Sequence, residues 1–308
     1  MATKAKTTSK ARTAKTRPAA AKAAKTTTKK TTVVKTAPVA AVRPVTRQKT
    51  YRLSNDLSGA QVIGEMVGTF LFVSLIMASG GNPFLIGIAL IGLVAAFFSI
   101  SGAHLNPAIT FGLWTMRKVS ATKMLFYLMA QFVGAILAVF AVSAFAGTSP
   151  SISLSSFFQW DWRIVFAELL GMAVFMFMVA AAAERAQTDN SKAVTIGLGL
   201  FVALVISTSL LQQAISTENT KFTAEQQKES SKDISTPRIL KVGGTILNPA
   251  AAFSQPETES QNSALGTQEK STGASRLTIE TILGAFAGAA IGGWLYLLLA
   301  RNTEEGRL

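Results

Sequence analysis

The 308-residue chain has no cysteine, a single histidine, and charged side chains at only 15% of its positions. Without cysteine there is no disulfide, no thiolate metal site and no cysteine nucleophile. With His104 alone, a zinc site built on a histidine pair is excluded. No metal, cofactor or catalytic constellation is expected, and the chain does not read as an enzyme. Acidic residues are missing altogether from the first 52 positions, which hold fifteen Lys and Arg. The remaining residues carry fifteen basic and sixteen acidic side chains, so the net charge of +14 belongs to the N-terminal segment. What is abundant instead is apolar sequence, at 49% of all residues, with a mean hydropathy of +0.36.

Residues 1–55 are mostly Lys, Thr, Ala and Pro, with no aromatic before Tyr51. Such a segment buries too little apolar surface to offset its ordering entropy and is expected to be a disordered basic tail. It is too long and too evenly basic for the start of a signal peptide. Its favoured partner is anionic lipid, at about 1 kcal/mol per basic residue near the surface. A second reading is nucleic acid, because the composition resembles the tails of linker histones.

Six long apolar runs follow, at about Val62–Ser79, Phe84–Ile100, Met124–Ala146, Ile164–Ala183, Ala193–Leu211 and Ile279–Ala300. Each approaches the ~20 residues that a helix needs to cross a bilayer. Arg117, Lys118 and Lys123 follow the second run, and Arg185 and Lys192 the fourth, whereas the first and third connections carry almost no charge. Basic connections stay on the cytoplasmic side, so both termini are expected inside, in the cell membrane. The channel-like body spans 56–302, with polar insertions at about 212–241 and 255–276, and 303–308 form a C-terminal tail.

The runs repeat. Glu65-Met66-Val67-Gly68 in run one matches Glu168-Leu169-Leu170-Gly171 in run four, and Asn106-Pro107-Ala108 matches Asn248-Pro249-Ala250 in the same order of features. The halves are 60–146 and 163–300. Three spans per half is odd, so the second half must be inverted relative to the first, an arrangement that places a pathway at the repeat interface. Average composition gives about 0.05 Asn-Pro-Ala tripeptides in a chain of this length; two at matching places are not coincidence. Asn caps a helix by accepting from free backbone N–H groups, and Pro suits the first helical position. Each tripeptide therefore reads as the start of a short re-entrant helix, the first running from Asn106 towards Met116. Non-helical backbone at membrane depth is tolerated only inside protein or beside water.

On Ser101-Gly102-Ala103-His104-Leu105-Asn106-Pro107-Ala108, the second Asn248-Pro249-Ala250 and the repeated Glu, the chain resembles the aquaporin and glycerol-facilitator family, the major intrinsic proteins. The resemblance covers about residues 60–300. It implies an all-α membrane protein, with six transmembrane helices and two re-entrant half-helices in an inverted repeat (an hourglass), and a homotetramer. It also implies that Glu65 and Glu168 brace the re-entrant loops, with His104 as a structural hydrogen-bonding residue. Small residues at fourfold spacing, Gly284, Gly288 and Gly292 in run six and Ala130, Gly134 and Ala138 in run three, read as helix-packing seams.

The family's filter arginine, normally next after the second Asn-Pro-Ala, is replaced by Ala251. By spacing, the remaining filter places fall on Ile86, Leu204 (or Ala203 under a one-residue slip) and Thr245. The expected constriction has no aromatic and no fixed charge, and is wider or more apolar than that of a strict water channel. Pro256, only eight residues after Asn248, is expected to keep the second half-helix short. The function expected is a passive channel for water and small neutral solutes such as glycerol. The alternatives are a closed-pore structural protein of the same fold, or a secondary transporter with broken helices.

Overall fold

In the computed structural model the described residues are 57–150, 152–185, 188–228, 235–263 and 266–305. The expectations for the basic tail, residues 1–55, lie outside the described residues. Among the described residues six helices are long and apolar enough to cross a membrane: α1 (Gly59–Ala78), α2 (Pro83–Ser101), α4 (Ala121–Phe145), α5 (Trp162–Glu184), α6 (Asp189–Lys228) and α7 (Ile279–Glu305). A short helix, α3 (Pro107–Thr115), lies between α2 and α4.

Local chemistry explains where these helices begin. Ser58 and Gln61 form a reciprocal capping box at the start of α1, and Asn82 accepts from Phe84 and Leu85 N–H with Pro83 in the first helical position of α2. Ser120 and Asp161 cap α4 and α5 through their side chains. Gly102 ends α2 in the left-handed conformation, with φ 91°, where a side chain would be strained. Large apolar side chains are exposed along the helices. On α4 they recur every fourth residue, at Leu125, Met129, Val133 and Leu137. A helix apolar on its outward face as well as its inward one belongs in lipid.

Helix pairs meet through glycine. α7 packs on α5 with Gly284, Gly288 and Gly292 over the carbonyls of Val165, Leu169 and Ala173, so that a Cβ on Gly292 would stand 2.1 Å from the Ala173 oxygen. In the other half, α4 packs on α1, and a Cβ on Gly134 would stand 2.2 Å from the Met66 oxygen. Gly87 of α2 and Gly197 of α6 face one another where the halves cross. Close backbone approach of this kind is how helices associate where lipid gives no hydrophobic drive.

The second half departs from the first in three places. Helix α6 continues as far as Lys228, well past its apolar run. The second Asn-Pro-Ala does not open an α-helix; it leads through a turn into one 3-10 turn, Ala251–Ser254. Beyond Pro256 the sequence Glu-Thr-Glu-Ser-Gln-Asn-Ser has no apolar period and forms strand β1 (Pro256–Ser263), paired antiparallel with β2 (Gly266–Ser275). The all-α body thus carries one β-hairpin. At the C-terminus α7 runs on to Glu305, so that part of the expected 303–308 tail is helical.

Candidate functional site

Both Asn-Pro-Ala segments are buried at the centre of the helix bundle, and their surroundings repeat. Asn106 caps α3 by accepting from Ala108 N–H, and Asn248 accepts from Ala250 and Ala251 N–H. Each carboxamide then donates across to the other loop: Asn106 Nδ2 to the Leu247 carbonyl at 2.8 Å, and Asn248 Nδ2 to the Leu105 carbonyl at 3.1 Å. Leu105 and Leu247 both have positive φ, 50° and 57°, a strained conformation for leucine. The kink turns each carbonyl towards the opposite asparagine. An amide nitrogen has two hydrogens, and the second on each asparagine has no protein acceptor among the described residues.

Buried carboxylates hold the loops. Glu65 accepts from His104 N–H at 3.0 Å, Leu105 N–H at 2.7 Å, Ser101 Oγ at 2.6 Å and Gln131 Nε2 at 2.8 Å. Glu168 accepts from Ile246 and Leu247 N–H, both at 2.8 Å. Where Glu65 has the neutral donors Ser101 and Gln131, Glu168 instead has Arg276, whose Nη2 lies 3.9 Å from it. His104 sits against the edge of Tyr127 with Nδ1 3.1 Å from Thr110 Oγ1, and its Nε2 is unpaired among the described residues.

Asn106 and Asn248 line a single cavity of about 420 Å³. Ile86, Leu204, Thr245 and Ala251 line the same cavity. The hydroxyl of Thr245 is engaged by Ser207 and Thr208. A second cavity, also about 420 Å³, is bounded by residues 98–104 together with Gln61, Lys123, Asp189 and Lys192.

The chain segments outside the bundle form two sets. Lys118 pairs with Glu184 at 2.6 Å, joining the α3–α4 connection to the end of α5. On the other set, Ser153 is bridged to Ala274, Ser156 donates to Glu257, and Asp161 N–H donates to Glu280. Arg238 binds both Glu257 and Glu280, tying the hairpin to the start of α7. Burial pushes the Asp161 carboxyl up, but its bonds from Arg163 outweigh that and leave it below the usual carboxylate range, so it remains an anion.

The sequence model of the major intrinsic proteins matches residues 61–217. The chain belongs to the major intrinsic protein family. The match ends before the second Asn-Pro-Ala, and so before the hairpin. This major intrinsic protein is 30% identical over 187 residues to aquaporin AqpM of Methanothermobacter marburgensis, covering 47% of this chain and 74% of the archaeal protein. To aquaporin Z of Photorhabdus laumondii it is 25% identical over 189 residues, covering 50% and 79%. Among solved structures, the aquaglyceroporin of Plasmodium falciparum aligns with 78% of this chain and 94% of its own, at 16% identity and a TM-score of 0.47.

A charged residue of this cavity escaped the sequence reading. The constriction was expected to carry no fixed charge; Arg276 lines the same cavity as Ala251. Counting from the tripeptide could not find it, because the hairpin separates the two. The available signal was weak: a lone arginine just before the apolar run of α7.

Proposed function

We propose that this major intrinsic protein is a passive channel for water and small neutral solutes of the glycerol class, with the two cavities as the vestibules of one pore. The carrying observation is the reciprocal pair of asparagine carboxamides in one cavity, each held by the opposite loop and each keeping one N–H for a passing oxygen. The aquaporins among its relatives support the reading, which makes and breaks no bond. The pore motif comprises Asn106, Pro107, Ala108, Asn248, Pro249 and Ala250. The constriction includes Ile86, Leu204, Thr245 and Ala251, and Glu65, Glu168 and His104 brace the loops. The protein works as a homotetramer in the cell membrane, with both termini cytoplasmic and the basic tail on anionic lipid.

Osmotic shrinkage of proteoliposomes tests this. The natural protein should accelerate water flux well above empty vesicles. Asn106→Asp and Asn248→Asp should each cut it by about tenfold, since an anion in the throat replaces a donor and holds cations there. Unaccelerated flux for the natural protein would favour the closed-pore reading.

A further inference from the structure

We infer that Arg276, delivered by the β-hairpin, is a specificity-determining residue of this pore, and that Arg238 positions it. The inference rests on the cavity being a permeation path. In the first half, α3 brings the positive end of a nine-residue helix to the cavity. The second half has only a four-residue 3-10 turn after Ala250, and the aligned field of a half-helix is largely missing there. The chain instead leaves as a hairpin and returns a full positive charge to the same wall. Arg276 is 3% exposed, and among the described residues that line the cavity it is the only ionisable one.

Its placement is fixed from three sides. Its backbone N–H donates to the Gln255 carbonyl at 2.9 Å, its carbonyl accepts from Thr281 Oγ1 at 3.1 Å, and its Nη1 donates to the Gly244 carbonyl at 2.7 Å. Nε and Nη2 have no hydrogen-bond partner among the described residues. Both atoms are buried and Nη2 faces Glu168, so what the guanidinium brings to the cavity wall is its charge and the hold that its fork has on the Gly244 carbonyl. Glu168 offsets the charge from behind, since it is fully buried and does not line the cavity. The two ends of the hairpin segment are held by Arg238, which reaches Glu257 just after Gln255 and Glu280 just after Thr278. Arg238 does not line the cavity, so its effect on the pore runs through Arg276.

The test uses full-length protein in proteoliposomes, with water flux, glycerol flux and sodium leak read on the same preparation. The natural protein should exclude sodium. Arg276→Leu should raise the glycerol-to-water permeability ratio by about threefold and admit sodium, because the guanidinium is both a fork of donors and a cation barrier. Arg276→Lys should still exclude sodium yet raise the ratio, since it keeps the charge and loses the fork. Arg238→Gln should shift the ratio as Arg276→Leu does, and Arg238→Lys should restore it towards the natural value, which a merely destabilised protein would not do. An unchanged ratio and unchanged sodium exclusion in Arg276→Leu overturns the inference while leaving the channel intact. If Arg276→Leu does not insert, an unchanged ratio in both Arg276→Lys and Arg238→Gln overturns it equally. No flux through the natural protein overturns the channel reading and this inference together.

Discussion

At the scale of single residues, the two halves solve one problem with different chemistry. Each re-entrant loop must present backbone N–H groups inward, and each uses a buried glutamate to accept them. Glu65 is surrounded by neutral donors, so Glu65→Gln turns one acceptor into a donor facing a donor, at a cost of about 1–3 kcal/mol. Glu168 also faces the Arg276 guanidinium. Glu168→Gln therefore removes the counter-charge of a buried cation as well, and the cost should rise to about 3–5 kcal/mol. Thermal unfolding in detergent should rank Glu168→Gln below Glu65→Gln; the reverse order would mean that Arg276 draws no support from Glu168.

At the scale of elements, glycine sets the distance between helices, and its effect depends on what its missing side chain would meet. Gly292→Val places atoms against the Ala173 carbonyl and should separate α5 from α7, lowering stability by about 1–3 kcal/mol. Gly92 lies within α2 with nothing within 4 Å of its would-be Cβ. Gly92→Ala should instead leave stability unchanged or raise it by up to about 1 kcal/mol, through helix propensity. Melting curves of the two variants should move apart, and a shared shift would remove the seam argument. The seam was legible because Gly284, Gly288 and Gly292 are spaced one helical turn apart in an apolar run. The six spans and α3 were legible for similar reasons, from uninterrupted apolar length and an Asn-Pro start. The extension of α6 was not: residues 212–228 are polar nearly all round, and their helix is secured by tertiary contacts such as Arg163 with Glu218 at 2.9 Å. Nor was the hairpin. Its polar strands carry no alternating apolar pattern, and what anchors its base is a set of ion pairs from residues far apart in sequence. Arg276 was missed for the same reason, since its place depends on that fold-back and not on its distance from Asn248.

At the scale of the whole molecule, the odd number of spans per half makes one repeat the inverted image of the other, and the connections fall on two faces. One face gathers the 147–161 connection and the hairpin through the Arg238 network, and the end of α6 through Arg163, which pairs with both Asp161 and Glu218. The other holds the Lys118–Glu184 pair and the start of α6. In the proposed topology the second face is the cytoplasmic one, because the connections there carry Arg117, Lys118 and Arg185. The absence of native cysteine makes this directly measurable, since any introduced thiol is the only one in the chain. Ser149, Asn190 and Asn219 are all exposed and lie outside the apolar part of the helices. In intact cells a membrane-impermeant maleimide should label Ser149→Cys and Asn219→Cys, and should label Asn190→Cys only after the cells are opened. Labelling of Asn190→Cys in intact cells with protection of the other two would turn the molecule over, placing the Arg276 side of the pore and its hairpin in the cytoplasm. Labelling of Ser149→Cys and Asn219→Cys from opposite sides would break the three-span repeat itself, because the chain crosses only α5 and α6 between them.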